Sequence, residues 1–302
     1  MAVVGPTASG KSELALDLAE RLDGEVVNAD AMQLYRGMDI GTAKLPPNRR
    51  RGIAHHQIDV LEVRDEASVA AYQRSSRRDI QDIRGRGRTA ILVGGSGLYV
   101  RAALDHLEIP PTDPVVRARL EDELAEAGVT ALRQRLSAVD PAAADLIEPN
   151  NRRRIVRALE VAELTGRPFS ATMPRRDHVL PTVVIGLAVD RPLLDERIAQ
   201  RVHEMWALGL VAEVESLLPQ GLREGRTASK ALGYSQVIAM LKGQTSAEEA
   251  QTATAVATRR YARRQDSWFR ADRRVVWLPF DARDLPDQAL AVVTAAAARM
   301  TT

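Results

Sequence analysis

The residues best equipped for chemistry stand at the start of the chain. Gly5, Pro6, Thr7, Ala8, Ser9, Gly10, Lys11 and Ser12 form GxxxxGK[ST], the P-loop pattern, directly after the apolar Val3 and Val4. Glycines let backbone amides turn inward around phosphate oxygens, and Lys11 adds a point charge. Ser12 supplies a hydroxyl suited to Mg²⁺. A second apolar run, Val26 and Val27, leads to Asp30 at what reads as the carboxyl end of a parallel strand. Open α/β sheets place their ligands there, and a carboxylate at that point can take a proton from an acceptor facing the phosphates. A third run, Thr89 to Val93, ends in Gly94, Gly95, Ser96 and Gly97. Phosphate-hydrolysing relatives of this motif carry an acid at that position to hold magnesium and help order water. Its replacement by glycine favours transfer to an organic acceptor, with the Ser96 hydroxyl at the floor of the site. Arg197 and Arg201 share one face of a helix as i,i+4 neighbours, a spacing that suits a lid bringing them onto a leaving phosphate and equally a salt-bridged surface pair.

The elements that must position these groups are legible around them. Leu14, Leu18 and Leu22 recur every fourth residue, so a helix follows the P-loop. Val69, Tyr72, Ser76, Ile80 and Ile83 mark a helix crossing back over the sheet, and residues 182–189 form a fourth strand. This alternation predicts an α/β fold, a P-loop doubly wound parallel sheet. From 111 to 180 the pattern changes: Pro110, Pro111 and Pro181 punctuate its ends, and only helical periodicities occur inside. The expected organisation is a catalytic core of residues 1–110 and 181–302 with an all-helical insertion domain, 111–180. On the third insertion helix Arg153 and Arg157 are i,i+4 neighbours with Arg154 beside them, a patch able to grip a phosphodiester backbone.

Composition limits the class. The 302 residues are 45% hydrophobic and 27% charged, as in globular proteins, and cysteine is absent, which excludes disulfides and thiol chemistry. No apolar stretch suffices for a membrane span. The motif begins so early that no leader peptide is expected, and a cytoplasmic protein follows as the default. Net charge is only +2, yet lysine occurs only at Lys11, Lys44, Lys230 and Lys242, the other basic residues being arginine. The arginines cluster, as would suit a phosphate-rich partner; genomic base composition and scattered solvated helix faces account for the same skew, and composition alone does not choose between them. The five histidines show no metal-ligand spacing.

Taken together, GPTASGKS at 5–12, DAMQLYRGMDIGTAK at 30–44, HHQID at 55–59, LVGGSGLY at 92–99, Arg154 with RALEV at 157–161, Arg197 with Arg201, and Gly233 with Tyr234 resemble the bacterial tRNA dimethylallyltransferases. The resemblance implies transfer of a dimethylallyl group from dimethylallyl diphosphate, with Mg²⁺ as cofactor. The acceptor would be the exocyclic amine of the adenosine 3′ of the anticodon, in tRNAs reading codons that begin with U. The P-loop would then hold the donor diphosphate, Asp30 would act as general base with Ser96 nearby, and Arg197 and Arg201 would stabilise departing diphosphate. Asp30, Ala31, Met32, Gln33, Ser96, Arg117, Arg153, Arg154, Arg157, Lys230, Gly233 and Tyr234 match positions expected to meet the tRNA anticodon stem–loop. Ala31 stands where the family commonly has serine, and Ser96 where it usually has threonine. A monomer is expected. Three other readings share parts of this pattern: a P-loop kinase acting on a nucleoside or metabolite, a prenyltransferase acting on free AMP or ATP, and a non-catalytic RNA-binding protein with a vestigial phosphate site. The intact loop with Asp30, the GGSGLY block and the long arginine-bearing insertion favour the tRNA-directed enzyme.

Overall fold

In the computed structural model, which describes residues 1–172 and 177–301, the chain divides into two compact units, Met1–Leu104 with Leu180–Thr302, and Asp105–Val179. Residues 173–176 of the expected insertion, and residue 302, lie outside the described residues. Strand β1 (Ala2–Val4) runs through the P-loop into helix α1 (Lys11–Arg21), followed by β2 (Gly24–Asn28), the two-residue β3 (His55–His56), α2 (Val69–Gly85), β4 (Thr89–Gly94) and α3 (Gly97–Leu104). The second unit contributes α4 (Pro114–Val139), α5 (Pro141–Leu146) and α6 (Arg152–Thr165). The chain then returns through β5 (Val184–Ala188), α7 (Arg191–Ala207), α8 (Leu210–Leu217), α9 (Tyr234–Leu241), α10 (Ala247–Arg270), β6 (Val275–Pro279) and α11 (Leu285–Thr301).

All six strands are parallel, in the order β3-β2-β4-β1-β5-β6. β1, β4 and β5 are almost wholly apolar because a parallel sheet is covered on both faces, whereas β2 carries Glu25 and Asn28 in its buried run. Val3, Val26, Ile91, Ile185 and Leu187 pack with Leu14 and Leu18 of α1, so the period-four leucines of that helix form its core face. A second core gathers Tyr35, Met38 and Val63 with Leu210, Val214, Tyr234 and Val237, and supports the loop after β2. β3 and β6 extend the sheet beyond the strands expected from sequence. Two residues are too few to show periodicity, and β6 is an edge strand with only Val275 and Leu278 buried.

The second unit has its own apolar centre, in which Leu120, Leu132 and Leu136 meet Ile155, Val156 and Leu159. Its first helix is interrupted at Gly128, whose φ of 82° only glycine adopts readily. Asn151 caps the N-terminus of α6, and Gly166 closes the other end in the left-handed region. The unit begins at Asp105, where Asp105 pairs with His178 in an antiparallel bridge and the His106 amide donates to the Asp177 carbonyl.

Glu25 in β2 is nearly enclosed, and its carboxylate accepts hydrogen bonds from Arg86 at 2.7 Å, Arg88 at 3.0 Å and His56 Nε2 at 2.6 Å. Burial alone would push its pKa up; the hydrogen bonds from Arg86, His56 and Arg88 outweigh burial and hold it at about 2. A depressed folded-state pKa stabilises the fold above the ordinary carboxylate range, and the contribution disappears as pH falls through the folded value. Glu25→Gln should therefore cost about 2–3 kcal/mol at neutral pH, the exposure of both arginines keeping the loss at the low end. Urea titrations of both proteins should show this gap closing between pH 4.5 and about 2.

Candidate functional site

The P-loop is shaped by three positive φ angles, 142° at Gly5, 65° at Ala8 and 94° at Gly10. Gly10 caps α1 without any side-chain hydrogen bond, so the first amides of the helix have neither an intrahelical acceptor nor a capping side chain. That is the arrangement that binds anions. Ser9 Oγ is buried in the loop and has no hydrogen-bond partner among the described residues. Lys11 turns its ammonium back onto the Pro6 carbonyl at 2.6 Å. Burial first, and the nearby Arg201 second, lower its pKa to about 7, against an opposing pull from Asp30. Helix α7 brings the two sequence-marked arginines to the same loop. Arg197 Nε donates to the Ala8 carbonyl at 2.8 Å, with its guanidinium carbon 5.0 Å from the centre of the Phe280 ring. Arg201 donates to Thr7 Oγ1 at 3.4 Å, and burial followed by the charge of Arg197 lowers its own pKa.

Asp30 leaves the end of β2 beside this cationic loop. Its backbone amide donates to the Asn28 side chain, which also donates to the Asp30 and Gln57 carbonyls. Its carboxylate accepts the amides of Met32, at 2.9 Å, and Gln33. Burial raises its pKa above the ordinary carboxylate value, while those amides and Lys11 pull the other way. Ser96 lies on the adjoining turn: its hydroxyl accepts the Ala31 amide at 3.3 Å and lies 3.5 Å from the Tyr261 hydroxyl. The structure thus brings together the P-loop, Asp30, Ala31, Ser96, Arg197 and Arg201. It also explains why β4 ends in glycine: a Cβ at Gly94 would collide with the Ala29 backbone. β2 and β4 approach too closely there for an aspartate.

The remaining sequence-marked residues fall into distinct environments. Met32 and Gln33 are partly exposed in the loop after β2, Gln33 donating to the Thr42 carbonyl. Lys230 is exposed, and Gly233, at φ 86°, starts α9. Tyr234, expected from the resemblance to meet RNA, is fully buried, and its hydroxyl donates to Glu213 at 2.5 Å. Glu213 also accepts the amides of Asp39, Ile40 and Gly41, so Tyr234 acts as a prop for that loop and offers no side-chain surface to a partner. In the second unit Arg117 and Arg157 both donate to the buried Glu160, at 2.5 and 2.8 Å, and Arg157 also donates to the Pro110 and Pro111 carbonyls. These two are largely committed inside the unit, whereas Arg153 and Arg154 on α6 are exposed. Sequence reasoning missed Tyr261 and Gln265 on α10, because the arginines around them dominate the pattern.

A parallel sheet with a P-loop at its centre and a carboxylate across from it defines a phosphate-binding α/β enzyme core. The IPP transferase family model matches residues 33–272, and the chain belongs to that family. A tRNA dimethylallyltransferase of Streptomyces avermitilis is 62% identical over 287 residues, covering 95% of this chain and 92% of the relative. The crystal structure of a tRNA isopentenylpyrophosphate transferase from Bacillus halodurans matches with a TM-score of 0.72 and 37% identity, over 100% of this chain and 98% of that one. A eukaryotic dimethylallyltransferase acting on tRNA matches with a TM-score of 0.81 at 25% identity, over 96% of this chain and 77% of that one.

An anion bound in the loop would restore the full charge of Lys11. Binding of inorganic diphosphate at pH 8 should therefore take up protons, seen as a dependence of the calorimetric heat on buffer ionisation enthalpy. In Lys11→Arg that dependence should largely vanish, since arginine never deprotonates.

Proposed function

We propose that this chain is a tRNA dimethylallyltransferase, moving a dimethylallyl group from dimethylallyl diphosphate to the exocyclic amine of the adenosine 3′ of the anticodon. The acceptors are tRNAs that read codons beginning with U. The observation that carries this reading is the proximity of Lys11 in the P-loop and the partly buried Asp30, with glycine where a water-activating acid would stand. The amide-lined cradle with Lys11, Arg197 and Arg201 suits a diphosphate that gains charge as it departs. Asp30 suits an amine that must lose a proton as it is alkylated. The nitrogen lone pair forms a bond to the allylic carbon, the carbon–oxygen bond breaks with its electrons leaving on diphosphate, and the amine proton passes to Asp30. The adenine must leave the anticodon-loop stack to reach this recess.

Magnesium fits the residues present. Among the described residues no group of three or more His, Cys, Asp or Glu side chains is placed to hold a metal ion. An ion here would rest on few protein oxygens and on substrate phosphates, as magnesium accepts. The exposed Ser12 hydroxyl in the first turn of α1 is such an oxygen. When bound, Mg²⁺ supplies positive charge to the diphosphate. Arg153 and Arg154 offer phosphate contacts to the RNA, with the Lys230 region and the loop 31–33 as further contacts. No helix among the described residues is long and apolar enough to cross a membrane; a cytoplasmic monomer completes the proposal.

Incubation with Mg²⁺, dimethylallyl diphosphate and an unmodified anticodon stem–loop should add one five-carbon unit to the RNA mass, on the expected adenosine. A transfer of phosphate from ATP to a nucleoside in a parallel reaction, without that mass increase, would overturn the reading. In the same assay Asp30→Ala should reduce turnover by roughly 10²–10⁴-fold with RNA affinity held within a few fold.

Replacing Arg153 and Arg154 together with alanine should weaken stem–loop binding and reduce the slope of log K against log salt by about two at most. An unchanged slope would remove these side chains from the RNA contact.

A further inference from the structure

Helix α10 is not part of the P-loop, the Asp30 loop or the glycine-rich turn, yet it touches two of them through one side chain. Gln265 is 4% exposed. Its Oε1 accepts the Thr7 amide of the P-loop at 2.9 Å, and its Nε2 donates to the Gly95 carbonyl at 2.9 Å. Because one partner is a backbone donor and the other a backbone acceptor, the orientation of the amide is fixed without ambiguity. Gly95 is glycine for this reason: a Cβ there would collide with the Gln265 side chain. One turn earlier on the same helix face, Tyr261 hydrogen-bonds Gln265 and lies 3.5 Å from the Ser96 hydroxyl, which in turn holds the Ala31 amide next to Asp30. One turn later, Trp268 lies where a Cβ at Gly97 would stand. Three side chains from one face of α10 thus meet the turn 95–97, and Gln265 also hydrogen-bonds the P-loop.

We propose that Gln265 is a positioning residue that sets the donor cradle and the acceptor turn in register, rather than a residue that touches either substrate. The inference rests on the transferase reading given above. A neutral side-chain amide is the group suited to this task, since it must donate at one end and accept at the other within a buried span. Glutamate at 265 keeps the size and the acceptor for Thr7 but, when ionised, sets an oxygen against the Gly95 carbonyl. Burial and that carbonyl raise its pKa, and protonation restores a donor. The register is then recovered as pH falls. Alanine removes both contacts at every pH.

The test compares wild type, Gln265→Glu and Gln265→Ala by stem–loop prenylation, thermal unfolding and calorimetric binding of inorganic diphosphate. At pH 8 turnover is expected to fall roughly 10²-fold in both variants, as a displacement near 1 Å would cause, with KM for the stem–loop within about twofold of wild type. The ratio of Gln265→Glu turnover to wild-type turnover should rise as pH is lowered, while the Gln265→Ala ratio stays flat. A purely structural role would lower the unfolding temperature and leave that pH-dependent ratio unmoved, and this result overturns the proposal. Turnover within twofold of wild type in the folded Gln265→Glu protein across the pH range also overturns it. Diphosphate binding keeps the two readings apart. If wild type prenylates no RNA, the transferase reading fails by itself, and Gln265 is then judged by whether Gln265→Ala weakens inorganic diphosphate binding at least tenfold; unchanged binding overturns it.

Discussion

The close approach of the ends of β2 and β4 governs the rest of the site. Gly94 lies so near the Ala29 backbone that no side chain fits, and the Ser96 amide then bonds the Ala29 carbonyl at 3.4 Å. This contact brings the loop carrying Asp30 against the glycine-rich turn carrying Ser96. It also removes the place where a water-ordering carboxylate would hang from β4. One steric constraint therefore does two things: it excludes one kind of phosphate chemistry and draws together the groups of another. The cationic side is set from the opposite direction, by α7 laying Arg197 and Arg201 over the P-loop.

Much of the core was legible in the chain because its signals are local. The P-loop sits at fixed spacing between a strand and a helix, α1 and α2 show their buried faces at helical period, β1 and β4 are short apolar runs, and β2 shows the apolar pair Val26 and Val27. What was not legible depends on contacts distant in sequence. β3 joins the sheet through two residues paired with Val26 and Val27. β6 is recruited by pairing with β5 along its whole length. The six-residue α5 and the break at Gly128 likewise follow from packing within the second unit, which no periodicity records.

The site divides along the same line. Asp30, Ser96, Lys11, Arg197 and Arg201 stood out because each lies at a strand end or on a marked helix face. Arginine clusters stood out equally, but charge alone did not separate Arg153 and Arg154, which face solvent, from Arg117 and Arg157, which serve Glu160. The buried Glu160 is the distinguishing feature, and its partners are known only once the helices are packed. Tyr234 shows the converse: matched by resemblance to a position expected to meet the tRNA, its side chain lies in the interior, where Glu213 accepts three backbone amides and the Tyr234 hydroxyl.

The hydrogen bond from Lys11 to the Pro6 carbonyl has a consequence for how a ligand arrives. With its ammonium on the Pro6 carbonyl, Lys11 ties the start of α1 back across the loop, so the bend is held by the chain's own groups. A loop braced by its own contacts has less backbone freedom to lose when an anion binds. Such preorganisation spares conformational entropy on association.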